Sequence, residues 1–289
     1  KMAGVAGGNA MRFHIPALAH IQANAKFRSC AYSGKSRRLS WMLKSRGHEV
    51  FFYCVDGSEA DATEIVPVVS NEYRRLFYCD NDDPKNQYRF NTGDSYHRKF
   101  NGRVAEEIEK RLGDKDILCL PWGFGHFPIA QILGDKVIPV ESGVGYPDCC
   151  LPYNRVFESE AWRAWVYGKG RSDEKGKYVP LENGDYRDTV IPNSYFAKEF
   201  RFQKEKGDKF LYLGRLVKRK GLADIIEATR QAGVELIVAG QGDLADVEGL
   251  DLRAPHVEFV GYAGPDEGRD LMAEAKALLV YTHYIGPFE

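Results

Sequence analysis

Four basic residues lie within six positions of the chain, where their side chains could bind an anion. They follow Gly214 and are Arg215, Lys218, Arg219 and Lys220. Arginine and lysine supply formal positive charge, and a loop that leads into a helix adds free backbone N–H groups and the helix dipole. A phosphate group is the ligand that this combination favours, and a solvated basic turn is the alternative.

The residues around this basic loop predict a βαβ unit. The apolar run Phe210–Leu213 is long enough for a buried parallel strand. A helix is indicated by the i, i+3, i+4, i+7 spacing of Leu222, Ile225, Ile226 and Thr229. Residues 234–239 form a second apolar run, closed by Gly240 and Gly242. The basic loop is therefore expected at the carboxyl end of a strand, where open α/β sheets bind ligands.

This ordered set resembles the donor-binding half of the GT-B glycosyltransferases, particularly the large retaining family four. The pattern of that family is strand, Gly-Arg-Leu, a few residues, Lys-Gly, helix, strand and Gly-x-Gly, and the similarity continues through 256–261 and 277–281. It covers most of residues 210–281, and the first half of the chain only loosely. The resemblance implies that Arg215 and Lys220 hold the diphosphate of a nucleotide sugar. The donor-binding residues that it implies are Gly214, Arg215, Lys220, Gly240, Gly242, Val260, Gly261 and Tyr262.

The resemblance also implies an architecture and an activity. The fold class is α/β, with two facing Rossmann-like domains of the GT-B type, each built on a doubly wound parallel sheet. The implied reaction moves a sugar from a UDP- or GDP-sugar to a carbohydrate or other acceptor, with retention and without a metal or cofactor. The alternatives are a non-catalytic nucleotide-sugar-binding module and a GT-B sugar epimerase or phosphorylase. A Rossmann dehydrogenase is disfavoured because no G-x-G-x-x-G opens the first strand–helix unit.

The first half of the chain contains two candidate catalytic residues, each after a predicted strand. His126 follows the strand at 116–121, and Glu141 follows the strand at 136–140. Family-four enzymes often have a His that contacts the transferred sugar where Glu141 stands, so Glu141 would take over that contact. His126 either takes part in catalysis or has a structural role in packing or helix capping. His20 and His48 are interpreted as surface or capping residues.

The remaining segments of this half are assigned from their patterning. Residues 12–17 and 51–55 predict strands on either side of a helix at 33–46. Residues 56–96 are polar with little periodicity and predict a solvated excursion, and residues 155–159 predict the last parallel strand of this half. The domain boundary is placed near Asn193, with an acceptor-side domain at 11–193 and a donor-binding domain at 194–289. Residues 1–10 are interpreted as a leader or tag remnant.

The end of the sequence departs from the family pattern. After the strand represented by 277–281, family-four enzymes carry a first Glu, then Pro-Phe-Gly, and a second Glu on the next helix. Here Gly286 stands in the place of the first Glu, and Glu289 stands where the family has Gly. Glu289 is either a solvated residue or a catalytic residue, shifted by three positions, that meets the sugar. We expect the second domain to be truncated and the 289-residue chain to transfer sugar poorly.

The composition is that of an ordinary globular protein with room for two domains. The chain has 289 residues, of which 44% are hydrophobic and 28% charged, and its net charge is −1. This charge gives no reason to expect nucleic-acid binding, and no apolar run approaches the ~18 residues that span a bilayer. The six cysteines show neither C-x-x-C nor zinc spacing. They predict reduced thiols, no metal site and a cytoplasmic location.

Overall fold

Two parallel sheets organise the chain, one in each of two compact units. The computed structural model describes residues 10–27, 30–145, 150–169, 187–242 and 250–283, and the backbone of 171–172 and 178–179. Within these residues, one unit spans 10–82 and 88–194, and the other spans 83–87 and 195–283.

The first unit alternates strands and helices along most of its length. In chain order its elements are β1 (Arg12–Pro16), α1 (Ala31–Ser45), β2 (Glu49–Val55), β3 (Glu64–Val69), α2 (Asn71–Tyr78), α3 (Ser95–Glu109), β4 (Ile117–Cys119), α4 (Phe127–Leu133), β5 (Ile138–Glu141), β6 (Asn154–Phe157), α5 (Glu160–Lys169), β7 (Arg171–Ser172), β8 (Tyr178–Val179) and β9 (Thr189–Val190). Strands β7 and β8 form an antiparallel pair of their own. The other seven described strands form one parallel sheet in the order β3-β2-β1-β4-β5-β6-β9.

The strand order of this sheet reverses between β1 and β4. Strands β2 and β3 lie on one side of β1, and β4, β5, β6 and β9 lie on the other. In doubly wound sheets such a switch point opens a crevice beyond the carboxyl ends of the strands, and ligands bind there. The residues that follow β1, β4 and β5 are therefore brought to one edge of the sheet.

The strands of this sheet show the burial pattern that is typical of parallel sheets. After the exposed Glu49, every residue of β2 is buried, which is the pattern of a strand covered on both faces. Helix α3 supplies part of that cover with apolar side chains at four-residue spacing. They are Tyr96, Phe100, Val104 and Ile108, all fully buried in the largest core cluster.

Residues 56–96 are not the solvated excursion that the sequence predicts, because β3 and α2 lie within them. Strand β3 is hard to recognise from the sequence because Pro67 interrupts its apolar run. Pro67 is tolerated there because β3 is an edge strand, where one missing backbone donor costs little. Helix α2 begins after Ser70, whose hydroxyl accepts a hydrogen bond from Tyr73 N at 3.1 Å.

A second prediction about this sheet is also wrong. The strand predicted at 155–159 is β6, but it is not the last strand of the unit. Strand β9 pairs with β6 in parallel, with Val156 opposite Thr189 and Phe157 opposite Val190. The bidentate ion pair of Arg155 with Asp188, with N–O distances of 2.8 and 2.7 Å, joins the two strands beside this short ladder.

The second unit repeats the plan on a smaller scale. Its elements are β10 (Phe210–Leu213), α6 (Leu222–Ala232), β11 (Leu236–Ala239), β12 (Val257–Gly261) and α7 (Pro265–Glu274). The three strands form a parallel sheet in the order β10-β11-β12. The strand predicted at 277–281 is reduced to a bridge between Leu278 and Leu211, on the side of β10 that does not pair with β11. The order therefore reverses at β10, as it does at β1 in the first unit.

The α/β fold class predicted from the sequence is confirmed, with one parallel sheet in each unit. The core of the second unit is formed by β10, β11, α6 and the loop that joins β10 to α6. Its buried residues are Tyr212, Leu216, Leu222, Ile225, Ile226, Leu236 and Val238. None of the helices in the described part of the chain is both long and apolar enough to cross a membrane.

Candidate functional site

The basic loop at 214–221 connects β10 to α6 and is tied to the carboxyl end of β11. Gly214 N donates to Ala239 O at 3.1 Å, and Leu216 N donates to Gln241 O at 2.8 Å. The side chain of Leu216 is buried in the core of the second unit. The first part of the loop therefore has a fixed course along the edge where the strands end.

Arg215 lies between these two anchored residues, and its side chain is half-buried. Its carbonyl accepts a hydrogen bond from Tyr212 Oη at 2.7 Å. Among the residues that the structure describes, the guanidinium of Arg215 has no hydrogen-bond or ion-pair partner. Its five N–H donors are therefore not engaged by any described group.

Lys220 ends the short 3-10 segment Lys218–Lys220, directly before α6. Lys220 is half-buried, whereas Lys218 and Arg219 are exposed. Gly221 follows with φ of 67° and is the N-cap of α6, and no side chain caps this helix end. The first-turn N–H groups of α6 therefore add their partial positive charge to the end of the basic loop.

His283 also contacts the basic loop, although the sequence analysis did not single it out. Its backbone N donates to Arg219 O at 2.8 Å, and Thr282 Oγ1 lies 3.2 Å from the same carbonyl. His283 Nε2 is 2.8 Å from Asp224 Oδ2 on the first turn of α6. No motif signals this contact, because it joins segments about sixty positions apart.

The backbone geometry of the second unit requires glycine at positions 240 and 242. A Cβ atom on Gly240 would lie 1.9 Å from Gly214 O, so the ends of β10 and β11 approach too closely for a side chain. Gly242 has φ of 141°, a conformation that favours glycine. The Gly-x-Gly pattern therefore has a packing reason, which holds whether or not a ligand binds.

The predicted base-binding residues lie at the carboxyl end of β12. Gly261 has φ of 78°, and its carbonyl accepts a hydrogen bond from Gly240 N at 2.9 Å. Val260 is exposed and Tyr262 is half-buried. The structure thus places this turn beside the end of β11, which in turn contacts Gly214. All the predicted donor-binding residues follow, or end, one of the three strands at the same sheet edge.

His126, in the first unit, has the contacts of a structural residue. Its side chain is buried, with Nε2 3.1 Å from Ala17 O and Nδ1 3.4 Å from Trp122 N. Burial lowers the pKa of His126 to about 3, so the ring is neutral at physiological pH. His126 precedes α4 but makes no side-chain capping bond to it. These contacts link the segments that follow β1 and β4.

Glu141 ends β5 and is also buried, with 2% of its surface exposed. Its Oε2 accepts a hydrogen bond from Leu151 N at 2.8 Å. Burial raises the pKa of Glu141 to about 8, so the carboxyl group is protonated at neutral pH. The residue lines a small cavity together with Tyr32, Trp122 and Gly143. Glu141 is thus a neutral acid that lines a cavity, whereas His126 does not line it.

Solved structures of other proteins have a similar fold. No protein-family model and no curated protein sequence matches the chain. The crystal structure of AviGT4, a glycosyltransferase involved in avilamycin A biosynthesis, matches with a TM-score of 0.60 at 20% identity, over 94% of this chain and 69% of that one. A glycosyltransferase from Rickettsia africae ESF-5 matches with a TM-score of 0.54 at 13% identity, over 95% of this chain and 74% of that one.

The chain has the GT-B fold. At these identities the likeness establishes the fold and nothing finer, so membership of the retaining family four stays a prediction. The two sheets that carry the predicted sites are the two Rossmann-like sheets of this GT-B chain.

The interpretation of His20 as a surface or capping residue is wrong. Its ring is buried in this GT-B chain, stacked on Phe90 at 5.2 Å and tilted against Trp122 at 5.0 Å between ring centroids. His97 lies 5.9 Å away and is held by Asp94, whose Oδ1 is 3.0 Å from His97 Nδ1. His48 is partly exposed, and its Nδ1 accepts a hydrogen bond at 3.3 Å from the N–H of Met11, the residue before β1.

Some predicted features fall outside the part of the chain that the structure describes. Glu289 and Gly286 are among them, and so is Cys149. The five described cysteines are free thiols. Within residues 10–27, 30–145, 150–169, 187–242 and 250–283, no group of three or more His, Cys, Asp or Glu side chains is arranged to hold a metal ion.

Proposed function

We propose that this GT-B protein is a glycosyltransferase whose donor is a nucleoside-diphosphate sugar, and that the basic loop at 214–221 binds the diphosphate. The observation that carries the proposal is the guanidinium of Arg215, half-buried and without a described partner. It lies at the carboxyl end of a parallel strand, on the loop that ends with Lys220 and an uncapped helix N-terminus. The likeness to two proteins named as glycosyltransferases supports the same conclusion.

The charges of this loop suit the chemistry of the leaving group. When the bond between the anomeric carbon and the diphosphate oxygen breaks, negative charge grows on the diphosphate. The oxygen of an acceptor hydroxyl forms the new bond to that carbon and loses its proton. Arg215 can donate two parallel hydrogen bonds to phosphate oxygens, and Lys220 adds a point charge. Donors that are placed before the reaction stabilise such charge by about 2.7–4 kcal/mol each.

The finer parts of the proposal come from the resemblance to family four. They are a UDP- or GDP-sugar as donor, a carbohydrate acceptor, retention of anomeric configuration and independence of metal. A cytoplasmic location is proposed from the cysteines, which show no disulfide or zinc spacing. In this proposal Arg215, Lys220 and the N-terminus of α6 supply the positive charge at the diphosphate. Val260, Gly261 and Tyr262 meet the base, and Glu289 is proposed to approach the sugar.

Calorimetric titration with UDP, GDP and ADP tests the site. Arg215→Ala and Lys220→Ala should each raise the Kd for the best nucleotide about tenfold or more, since a hydrogen bond to a charged group contributes about 1.5–3 kcal/mol. Lys218→Ala is the matched control, because Lys218 is exposed on the same loop and lies outside the motif. Unchanged Kd values for both Arg215→Ala and Lys220→Ala, with circular dichroism showing intact folds, would overturn the diphosphate site.

A product assay then tests the activity. The corresponding nucleotide sugar is incubated with glycoside acceptors, and the new glycosidic bond is identified by NMR, whose anomeric coupling distinguishes retention from inversion. Addition of EDTA should leave the rate unchanged. Tight nucleotide-sugar binding without any transfer product would identify a binding module instead.

A further inference from the structure

A short turn from the first half of the chain belongs to the second unit. Residues 83–87 pack with that unit rather than with the residues on either side of them. They form a turn in which Asn86 N donates to Asp83 O at 3.1 Å and Lys85 N donates to Asp83 Oδ1 at 2.9 Å. Pro84 fixes φ at the second position of the turn, where proline is favoured. The sequence of the segment therefore preforms the turn.

Gln241 holds this turn at the carboxyl end of β11. Its side-chain Nε2 donates to Pro84 O at 2.8 Å and to Asn86 O at 2.5 Å. A carboxamide nitrogen has two hydrogens, so these two carbonyls use both of them and leave no donor for a ligand. The backbone O of Gln241 accepts a hydrogen bond from Leu216 N of the basic loop at 2.8 Å. Gln241 therefore joins the 83–87 turn to the basic loop.

Lys85 is the positively charged residue of the turn. It stands between the two residues whose carbonyls Gln241 binds, and it is exposed. Within the residues that the structure describes, its ammonium group has no hydrogen-bond or ion-pair partner. Asp83 accepts from the backbone N of Lys85 instead. The turn thus carries a positive charge without a counter-charge to the strand end where the basic loop lies, and charges of one sign gathered in this way attract anions.

We propose that Lys85 is a third cation of the donor site and that Gln241 is the positioning residue that holds it there. The inference rests on the proposed function, since the ligand is the same diphosphate. Each phosphate of a nucleotide sugar is negatively charged, and the diphosphate gains a further charge when the sugar leaves. Arg215 and Lys220 supply two cations, and Lys85 supplies the charge that balances the leaving group.

The role of Gln241 is tested in the intact protein without nucleotide. Limited digestion with trypsin, followed by mass spectrometry, measures cleavage of the Lys85–Asn86 bond relative to cleavage after the exposed Lys204. Gln241→Ala removes both hydrogen bonds, and Gln241→Glu places a carboxylate against the same two carbonyls. Each should speed cleavage after Lys85 about fivefold or more. Gln231→Ala is the matched control, because the amide of Gln231 binds a glutamate on the surface of α6.

The role of Lys85 is tested by calorimetry with UDP and GDP. Lys85→Ala should raise the Kd of the nucleotide that the parent binds more tightly about threefold or more, whereas Lys85→Arg keeps the charge and should bind as the parent does. Gln241→Ala should also raise this Kd, but not further in a chain that already carries Lys85→Ala, because Gln241 acts through Lys85. Lys204→Ala, which removes another exposed lysine of the second unit, is the control.

Two results would overturn the inference while leaving the proposed function intact. Equal Kd values for Lys85→Ala and the parent would remove Lys85 from the site. Unchanged cleavage after Lys85 in both Gln241 variants, or additive effects of Gln241→Ala and Lys85→Ala on the Kd, would remove the positioning role of Gln241. Failure of the proposed function gives a different result, in which Arg215→Ala and Lys220→Ala bind as the parent does or the parent binds neither nucleotide. In the latter case the role of Lys85 fails as well, and the digestion still shows whether Gln241 holds the turn.

Discussion

Four buried histidines of the first unit are kept neutral by burial. They are His14, His20, His97 and His126, and desolvation lowers the pKa of each. This holds even for His14, although its Nε2 is 2.9 Å from Asp116 Oδ2. His20 Nδ1 and His97 Nε2 are buried without hydrogen-bond partners. Protonation of these rings would place positive charge among aromatic side chains, which costs free energy.

The first unit should therefore lose stability in mild acid. The pKa values of His20 and His126 fall from 6.5 unfolded to about 3 folded, so below pH 6.5 the unfolded chain binds more protons. The loss begins at pH 6.5 and continues towards pH 3, and at pH 5 it amounts to about 2 kcal/mol for each ring. The free energy of unfolding, determined in urea at pH 7.5 and pH 5.0, measures this loss.

His20→Phe provides the specific test of this pH dependence. The substitution keeps an aromatic ring in place and removes one titrating group. The free energy of unfolding should therefore fall by about 2 kcal/mol less between pH 7.5 and pH 5.0 than it does in the parent. His48→Gln, which removes a partly exposed histidine, is the control. A pH difference as large in His20→Phe as in the parent would contradict the account.

The strand ends of the second unit are held together by close backbone contacts. A Cβ atom on Gly240 would lie 1.9 Å from the carbonyl oxygen of Gly214, and one on Gly221 would lie 1.8 Å from that of Tyr281. Both contacts involve backbone atoms, which cannot turn away as a flexible side chain can. These glycines therefore position the basic loop between β10 and α6, and through it the side chains of Arg215 and Lys220.

Two glycine substitutions in the second unit should have opposite effects on stability. Gly240→Ala forces β10 and β11 apart and should cost about 1–3 kcal/mol of unfolding free energy. Gly268→Ala lies inside α7, where the new methyl group meets Leu213 at an ordinary 3.5 Å, and should stabilise by about 0.5–1 kcal/mol. Thermal unfolding of both variants beside the parent measures this. If both substitutions stabilised the protein, the close contact of Gly240 with Gly214 O would not be the reason that position 240 has a glycine.

At the scale of the whole molecule, each unit has its own sheet, core and candidate site. The buried core of the first unit is built on residues before position 170, and that of the second unit on residues from 210 onward. Each sheet reverses its strand order at its first strand, β1 or β10. Each candidate site lies beyond the carboxyl ends of strands of its own sheet, as expected for doubly wound sheets.

Hydrogen exchange should place nucleotide binding in the second unit. Saturating UDP or GDP should slow amide exchange in peptides that contain 214–225 and 239–242. Mass spectrometry of the intact chain, digested after labelling, gives the map of protected peptides. Nucleotide protection confined to 138–145 would contradict the assignment of the diphosphate to the second unit.

Local sequence patterns were sufficient for β10 and α6 of the second unit. The bounds of β10 coincide with the apolar run Phe210–Leu213, and α6 contains the four residues with helical spacing. Runs of this kind are determined by neighbours a few positions apart, which a sequence displays directly. The same reasoning missed β3, because Pro67 and the surrounding charges obscure its pattern and its position at the sheet edge depends on β2.

The sequence by itself thus determined the alternation of strands and helices, the basic loop and the glycines around it. The tertiary structure decided which polar groups are buried and which have partners. Lys35 meets Glu158 across 123 positions, and His14 meets Asp116 across 102. No local pattern encodes such distant contacts. Burial likewise comes from packing of the whole sheet, and it alone makes Glu141 a neutral acid beside a cavity and His126 a neutral structural ring.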